Sequence, residues 1–237
     1  MDKAKWTSLC RRRNFLALVL GFGLLYGLMS SGFISMQYQG IIITIGIYVL
    51  LAASLNLTTG VLGELVLGHA GFMSIGAYTA ALFTLHMDLP ALVEFPLALL
   101  LGGALAAVFG VLIGIPALRL RGDYIAILTL GFGEIIRVLL NSLEFTGGAK
   151  GLNGIPAYTT FPSVFIVAAL TVYIIYAFIN SRHGRAVIAI REDEIAAESA
   201  GIHTTYYKML AFILSAFFAG VAGALYANYI GVLAPAK

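Results

Sequence analysis

The feature that most constrains this chain is a series of apolar blocks, each about 20 residues long. A helix of that length crosses the hydrocarbon core of a bilayer, which is roughly 30 Å thick. An unpaired backbone group costs several kcal/mol in lipid, so such blocks must form helices or a closed barrel. Barrel strands would alternate polar and apolar residues, and these blocks do not. We therefore predict an all-α fold, a polytopic bundle of transmembrane helices.

Seven segments have this apolar character. Their approximate bounds are 14–35, 39–58, 63–86, 95–117, 123–143, 162–180 and 206–230. Several glycines, together with Glu64 and His69, make the third segment the least regular, so we predict that this span is interrupted at glycine. The sequence thus predicts about seven spans, and the two longest connections are 144–161 and 181–205.

Composition excludes a soluble globular domain. Hydrophobic residues make up 60% of the chain and charged residues 11%, with a mean hydropathy of +0.96. A soluble domain carries about 25% charged residues, because its surface must face water. The net charge of +3 is too small to indicate a nucleic-acid partner. Cys10 is the single cysteine, so a disulfide within the chain is excluded.

The distribution of basic residues predicts the orientation. Threading seven spans from a cytoplasmic N-terminus puts 11 of the 14 Lys and Arg residues in the cytoplasm, Lys150 and Lys237 outside, and Arg137 within a span. Cytoplasmic loops carry such an excess of positive charge. The basic start of the chain, followed by an apolar run, also has features of a secretory signal, but the run extends to Phe33 and more spans follow.

Glycine is abundant, at 27 residues, and much of it lies inside the apolar segments. Small residues let helix backbones approach closely in lipid. Gly110 with Gly114 and Ala216 with Gly220 are pairs of small residues four positions apart. We therefore predict a tightly packed bundle, which favours a transporter or a channel over a simple anchor.

Residues 181–205 form the most informative connection. A helix over about 185–200 would be too short and too charged to span a membrane, and Gly201 would stop it. Isoleucines would recur on one face of that helix at seven-residue spacing: Ile188, Ile195 and Ile202. We predict that this helix lies at the membrane surface or docks onto another protein; a solvated linker helix is the alternative.

Residues 194–201 also carry a family resemblance. Ala196-Ala197, three residues and Gly201 are similar to the loose coupling pattern Glu-Ala-Ala-x-x-x-Gly of ABC importer permeases, with the glutamate one place early at Glu194. The blocks 67–78 and 120–134, with the glycine-rich 146–156, resemble branched-chain amino acid importer permeases in particular. The resemblance covers about residues 40–230. Members of that family continue with further spans, so we expect their C-terminal spans to be missing here.

The resemblance implies one transmembrane permease domain over residues 1–237 of a subunit in the bacterial cytoplasmic (inner) membrane. The chain has no P-loop, so it is expected not to be an enzyme and to need no cofactor or metal. The expected partners are ATP-binding cassette subunits that hydrolyse ATP, a second homologous permease subunit, a periplasmic or extracellular solute-binding protein and membrane lipid. The implied substrates are leucine, isoleucine and valine, or related small polar solutes.

Other functions stay open at this stage. The same family includes permeases for urea or short amides, and nothing in the residues discriminates between these substrates. A stand-alone channel or secondary transporter would work without ATP. An intramembrane enzyme using Glu64 and His69 is the weakest alternative, because no nucleophile motif or metal-ligand spacing accompanies them.

The resemblance implies that ATP binding draws two coupling helices together and rocks the bundle about a site near the membrane midplane. The residues expected to couple the permease to the ATPase are Arg185, Ile188, Arg191, Glu194, Ile195, Ala196, Ala197 and Gly201.

Polar residues within apolar spans are costly and are therefore candidates for a substrate pathway. The candidates are Glu64, Gly68, His69, Ser74, Tyr78, Glu134 and Arg137. Some of these residues also have a structural interpretation. Glu134 and Arg137 can form an ion pair at three-residue spacing, and His69 can join two helices by a hydrogen bond. The candidates for docking a binding protein are Gly147, Gly148 and Asn153; an ordinary exposed turn is the alternative.

Overall fold

A computed structural model describes residues 20–31, 35–87, 89–120 and 122–234 and places most of them in helices. The α-helices are α1 (Leu20–Ser30), α2 (Met36–Asn56), α3 (His69–His86), α4 (Ala91–Ala117), α5 (Asp123–Ser142), α6 (Phe161–Ile179), α7 (Arg182–Glu192), α8 (Glu194–Ser199) and α9 (Thr204–Ile230). A π-helical turn, Leu57–Leu62, extends α2. Two 3-10 turns (Glu144–Thr146 and Gly148–Lys150) and two short strands, β1 (Leu152–Asn153) and β2 (Val232–Leu233), complete the described elements.

Five of the described helices are long and apolar enough to cross a membrane. They are Met36–Leu62, Ala91–Ala117, Asp123–Ser142, Phe161–Ile179 and Thr204–Ile230. These helices confirm a polytopic all-α bundle. The first predicted segment, 14–35, lies partly outside the described residues, and α3 is 18 residues long but less apolar than the five. The count of seven spans therefore stays a prediction.

Small residues let α3, α4 and α9 pack closely, with α9 at the centre of the bundle. About two thirds of the apolar stretch of α9 is buried, more than in the other spans. A Cβ on Gly110 of α4 would lie 2.8 Å from the Cβ of Ala216 in α9, and a Cβ on Gly76 of α3 would collide with the backbone of Gly220. The predicted close packing at small residues is confirmed.

The predicted start of the third helix near residue 63 is wrong, because residues 63–68, with a glycine at each end, form the interruption before the helix. Residues 63–68 form an irregular link, and α3 begins at His69 and runs without a break to His86. The break comes at Gly63, whose φ of +85° ends the π-helical turn in a conformation that suits glycine. The glycines inside α3 serve helix packing instead, as Gly76 does against α9.

The prediction of one helix over 185–200 is also wrong, because the segment forms two helices that meet at Asp193. Asp193 is extended (φ −160°, ψ 108°), and its Oδ1 accepts hydrogen bonds from the backbone N–H groups of Ile195 (2.9 Å) and Ala196 (3.0 Å). This N-cap starts α8 in a new direction. The buried side of α7 consequently includes Val187 and Ile190, instead of an isoleucine face continuing through Ile195.

Gly201 ends α8 as the sequence predicts. Its φ is +85°, its N–H bonds to the carbonyl of Glu198, and the N–H of Ile202 bonds to the carbonyl of Ala197. These two hydrogen bonds form a Schellman motif, in which glycine is the residue that most readily adopts the left-handed conformation. The turn redirects the chain toward α9.

Candidate coupling and transport sites

Two connections lie at opposite ends of the bundle, because α6 separates them. Residues 181–205, called the coupling segment below, follow α6, and residues 143–160, called the distal loop, precede it. At 1.5 Å per residue, α6 is about 28 Å long. Candidate sites at the two ends are therefore on different faces of the molecule.

Helix α7 packs against the π-helical turn after α2. The buried side chain of Val187 belongs to the same apolar cluster as Leu57 and Val61. At the end of α7, Nη1 of Arg191 donates a hydrogen bond to the carbonyl oxygen of Gly60 over 3.0 Å. A Cβ on Gly63 would lie 2.7 Å from Cγ of Arg191, so the two segments are in close contact. Arg191, a predicted coupling residue, thus attaches α7 to the bundle.

Lys208 joins the coupling segment to the 63–68 link. Its Nζ lies 2.8 Å from Oε1 of Glu64 and 3.0 Å from Oε1 of Glu194. Only 4% of the Lys208 side chain is exposed, compared with 15% for Glu64 and 28% for Glu194. A buried ammonium group is stable when it is paired and hydrogen-bonded, as it is here. We refer to these three residues as the Lys208 cluster.

The sequence reasoning missed Lys208 as a functional residue and counted it only as a cytoplasmic positive charge. The available signal was its place near the start of an otherwise apolar helix, where a buried cation requires partners. Those partners, Glu64 and Glu194, are 144 and 14 residues away in sequence, and the two had been assigned to different sites. The fold brings them to one ammonium group.

Helix α8 presents an apolar side chain away from the bundle. Ile195 is 69% exposed, and its neighbour Ala196 is exposed, whereas Ala197 is buried against the protein. Of the other predicted coupling residues, Arg185 is exposed and Ile188 is half-buried against the core. The exposed part of α8 therefore offers a contact surface at the same end of the bundle as the Lys208 cluster.

His69 lies at a helix junction. Its Nε2 is 2.8 Å from the Ser54 hydroxyl oxygen, and both side chains are buried. Just before it, a Cβ on Gly68 would collide with the backbone of Thr129, and the N–H of Leu67 donates to the Thr129 hydroxyl. Gly68 and His69 thus hold the start of α3 against α2 and α5.

Two further pathway candidates lie in α3. The Ser74 hydroxyl is exposed and donates to the carbonyl of Ala70, one turn earlier. Tyr78 is buried, and its hydroxyl has no hydrogen-bond partner among the described residues. Both side chains stay candidates for a polar pathway.

Glu134 and Arg137 form the ion pair that their spacing predicts. Nη2 of Arg137 lies 2.8 Å from Oε2 of Glu134, and about half of each side chain is exposed. In the part of the chain that the structure describes, neither side chain is hydrogen-bonded or ion-paired to another pathway candidate. The pair faces outward from α5, so it does not meet Glu64 or His69.

The distal loop is attached to the end of α9. Leu152 pairs with Leu233, and Asn153 pairs with Val232, in a two-stranded antiparallel sheet. Asn153 is exposed, and Gly147 and Gly148 are half-buried. The three docking candidates therefore lie on an anchored loop, and Asn153 reaches the surface from its short strand.

The chain is similar to known permease proteins over most of its length. The family model described as "Branched-chain amino acid transport system / permease component" matches residues 37–236. The high-affinity branched-chain amino acid transport system permease protein LivM of Salmonella typhimurium is 42% identical over 80% of this chain and 52% of the relative. LivM of Escherichia coli is 41% identical with the same coverage.

A more distant relative is named for a different substrate. The nucleoside ABC transporter permease protein NupC of Lactococcus lactis is 25% identical over 71% of this chain and 60% of the relative. No solved structure matches the chain. The chain spans about half the length of the two LivM relatives it matches. The match over residues 37–236 nevertheless covers the whole bundle from α2 to α9, and the chain belongs to the family of branched-chain amino acid transport permease components.

Proposed function

We propose that this chain is a membrane-spanning permease subunit of an ATP-driven ABC importer that moves branched-chain amino acids into the cytoplasm. The observation that carries the proposal is the family match over residues 37–236. The two LivM relatives support leucine, isoleucine and valine as substrates. The nucleoside permease shows that related chains differ in substrate, so urea or short amides are the competing substrates of this proposal.

In this proposal ATP is hydrolysed by a separate ATP-binding cassette subunit that docks onto the coupling segment. The exposed Ile195 on α8 supports this, because α8 has only six residues and cannot cross a membrane, so a side chain that is 69% exposed there is accessible to another protein. A stand-alone channel or secondary transporter would not need such a surface. In this proposal the bundle spans a bacterial inner membrane, and the end that carries the coupling segment faces the cytoplasm.

A second homologous permease subunit and a solute-binding protein complete the proposed complex. The Glu134–Arg137 pair supports the second subunit, because charged side chains at the surface of a span are costly against lipid and less costly against protein or a water-filled path. The binding protein docks on the distal loop, around Asn153. The seven spans, with the N-terminus in the cytoplasm, belong to the same proposal.

Reconstitution tests this function. Proteoliposomes would contain this chain with an ATPase, a second permease and a binding protein from the same gene cluster, and uptake of radiolabelled leucine would be measured with and without ATP. We expect uptake only with ATP, the ATPase and the binding protein. Uptake that is unaffected by omitting ATP would favour the channel or secondary transporter. Competition by urea but not by isoleucine would show that branched-chain amino acids are not the substrates.

A photo-crosslinker at Ile195 tests the docking surface separately. In native vesicles it should capture the ATPase subunit, and the same crosslinker at Asn153 should not. If the crosslinker captured the ATPase from Asn153 and not from Ile195, the ATPase would dock on the distal loop instead of the coupling segment.

A further inference from the structure

We propose that Lys208 is a positioning residue that transmits movement of α8 to the start of α3. This inference rests on the proposed function, since it assumes that an ATPase moves the coupling segment. Lys208 is the point at which α8, the 63–68 link and α9 meet through charged side chains.

The first step is the dependence of Lys208 on both glutamates. Its ammonium group is almost fully buried, and a buried charge is stable only while its partners stay within hydrogen-bond distance. If α8 moves and Glu194 moves with it, the ammonium group either follows Glu194 or loses one of its two ion pairs. Glu64 is bound to the same nitrogen and is subject to the same constraint. Movement of α8 is therefore not independent of the 63–68 link.

The second step leads from the link to two spans. Residues 63–68 are irregular and continue directly into α3 at His69, and the N–H groups of Gly63 and Glu64 both bond to the carbonyl of Thr58 in the π-helical turn after α2. The N–H of Leu67 binds the Thr129 hydroxyl of α5, and His69 contacts Ser54 of α2. A shift of Glu64 thus acts on α3 along the chain and on α2 through Thr58, and it reaches α5 through Leu67.

A second attachment runs in parallel. Arg191 binds the carbonyl oxygen of Gly60 inside the π-helical turn Leu57–Leu62. π-Helical turns are rare and are frequently found at functional sites. This attachment keeps α7 docked when Lys208 is replaced, so a Lys208 variant can assemble and be tested for transmission alone.

A purely structural ion cluster is the competing interpretation, and transport coupling distinguishes the two. The reconstituted complex would carry Lys208→Met, Glu194→Gln, or the control Glu198→Gln, which changes another glutamate of α8, one that makes no ion pair in the described structure. ATP hydrolysis and leucine uptake would be measured on the same vesicles. We expect uptake per ATP hydrolysed to fall by about fivefold or more in the first two variants, the lower end of usual coupling effects, and to stay unchanged in the control.

A distance measurement gives an independent readout. In a Cys10→Ser background, spin labels at Ser199 on α8 and at the exposed Leu65 on the link would report their separation with and without ATP. We expect the separation to stay constant in the otherwise unsubstituted complex, because the two elements move together. With Lys208→Met we expect it to change when ATP binds.

The outcomes separate the two proposals. A wild-type complex without ATP-driven uptake would contradict the proposed function. If the wild-type complex takes up leucine and Glu194→Gln leaves the uptake per ATP hydrolysed unchanged, only the role of Lys208 would be contradicted. Should Lys208→Met fail to assemble, Glu194→Gln decides alone, because it leaves the Lys208–Glu64 pair in place.

Discussion

The Ser54 hydroxyl oxygen lies 2.8 Å from Nε2 of His69, and this contact joins α2 to the first residue of α3 inside the bundle. The backbone carbonyl of Ser54 also accepts a hydrogen bond from the Ser215 hydroxyl of α9, over 2.6 Å. Three helices therefore meet at one polar point surrounded by apolar side chains. Buried polar groups of this kind are almost always hydrogen-bonded, because leaving one unpaired is costly.

Replacing Ser54 with alanine should destabilise the permease. The substitution leaves the His69 ring nitrogen buried without this partner, which costs about 1–3 kcal/mol. Thermal unfolding in detergent would measure the loss. Ser142→Ala is the matched control, because among the described residues the exposed Ser142 hydroxyl bonds only to the carbonyl of Val138, one turn earlier. Equal unfolding temperatures for the two variants would show that the His69 contact does not stabilise the bundle.

Adding a methyl group at Gly76 should separate α3 from α9. A Cβ at this position collides with the backbone of Gly220, which a side-chain rotation cannot relieve. Overpacking of this kind typically costs about 1–3 kcal/mol. Gly131→Ala in α5 is the control, because a Cβ there has open space around it. The Gly76→Ala variant should unfold at a lower temperature than Gly131→Ala, and the reverse order would contradict the close packing of α3 on α9.

The Glu134–Arg137 pair should behave as a structural unit. Arg137→Gln leaves the Glu134 carboxylate unpaired at the surface of a span, where an unpaired charge is costly against lipid. We expect a lower yield of folded protein in membranes, measured by size-exclusion chromatography with fluorescence detection. The double variant Glu134→Gln with Arg137→Gln should recover that yield. A double variant that folds normally but has a strongly raised KM for leucine would instead assign the pair to substrate binding.

An acidic side chain at Ile195 should weaken docking of the ATPase without unfolding the permease. Ile195 is 69% exposed, so Ile195→Asp has little effect on the free energy of unfolding. An apolar contact worth about 1.4 kcal/mol changes the affinity for the ATPase about tenfold. Affinity would be measured between purified subunits in detergent, with Ile195→Leu as the control that keeps the apolar contact. Unchanged affinity in Ile195→Asp would place the docking surface elsewhere.

Five of the seven predicted spans are long apolar helices of the structure, whereas the break within the coupling segment was not predicted. Length and apolar character are local properties, so segments such as 95–117 and 123–143 correspond to α4 and α5 within a few residues. The break at Asp193 was not predicted, because the helical spacing of isoleucines continues across it. A side-chain cap that bonds two backbone N–H groups outweighed that periodicity.

The Lys208 cluster shows why a site can be missed even when its residues are noticed. Glu64 and Glu194 were both singled out, one as a polar residue in a span and one as part of a coupling motif. Their common partner depends on how α9 passes between the 63–68 link and α8, which no local pattern specifies. The Glu134–Arg137 pair was predictable, because both residues lie on one helix at a spacing that brings their side chains together.

The attachment of α9 at both of its ends has a mechanical consequence. At one end Lys208 holds the glutamates, and at the other the N–H of Ile155 binds the carbonyl of Gly231 while Leu152 pairs with Leu233. An unbroken helix of 27 residues is a stiff rod about 40 Å long. If such a rod tilts about its glycine contact with α3 and α4, its two ends move in opposite directions. The distal loop and the coupling segment are therefore mechanically linked through α9.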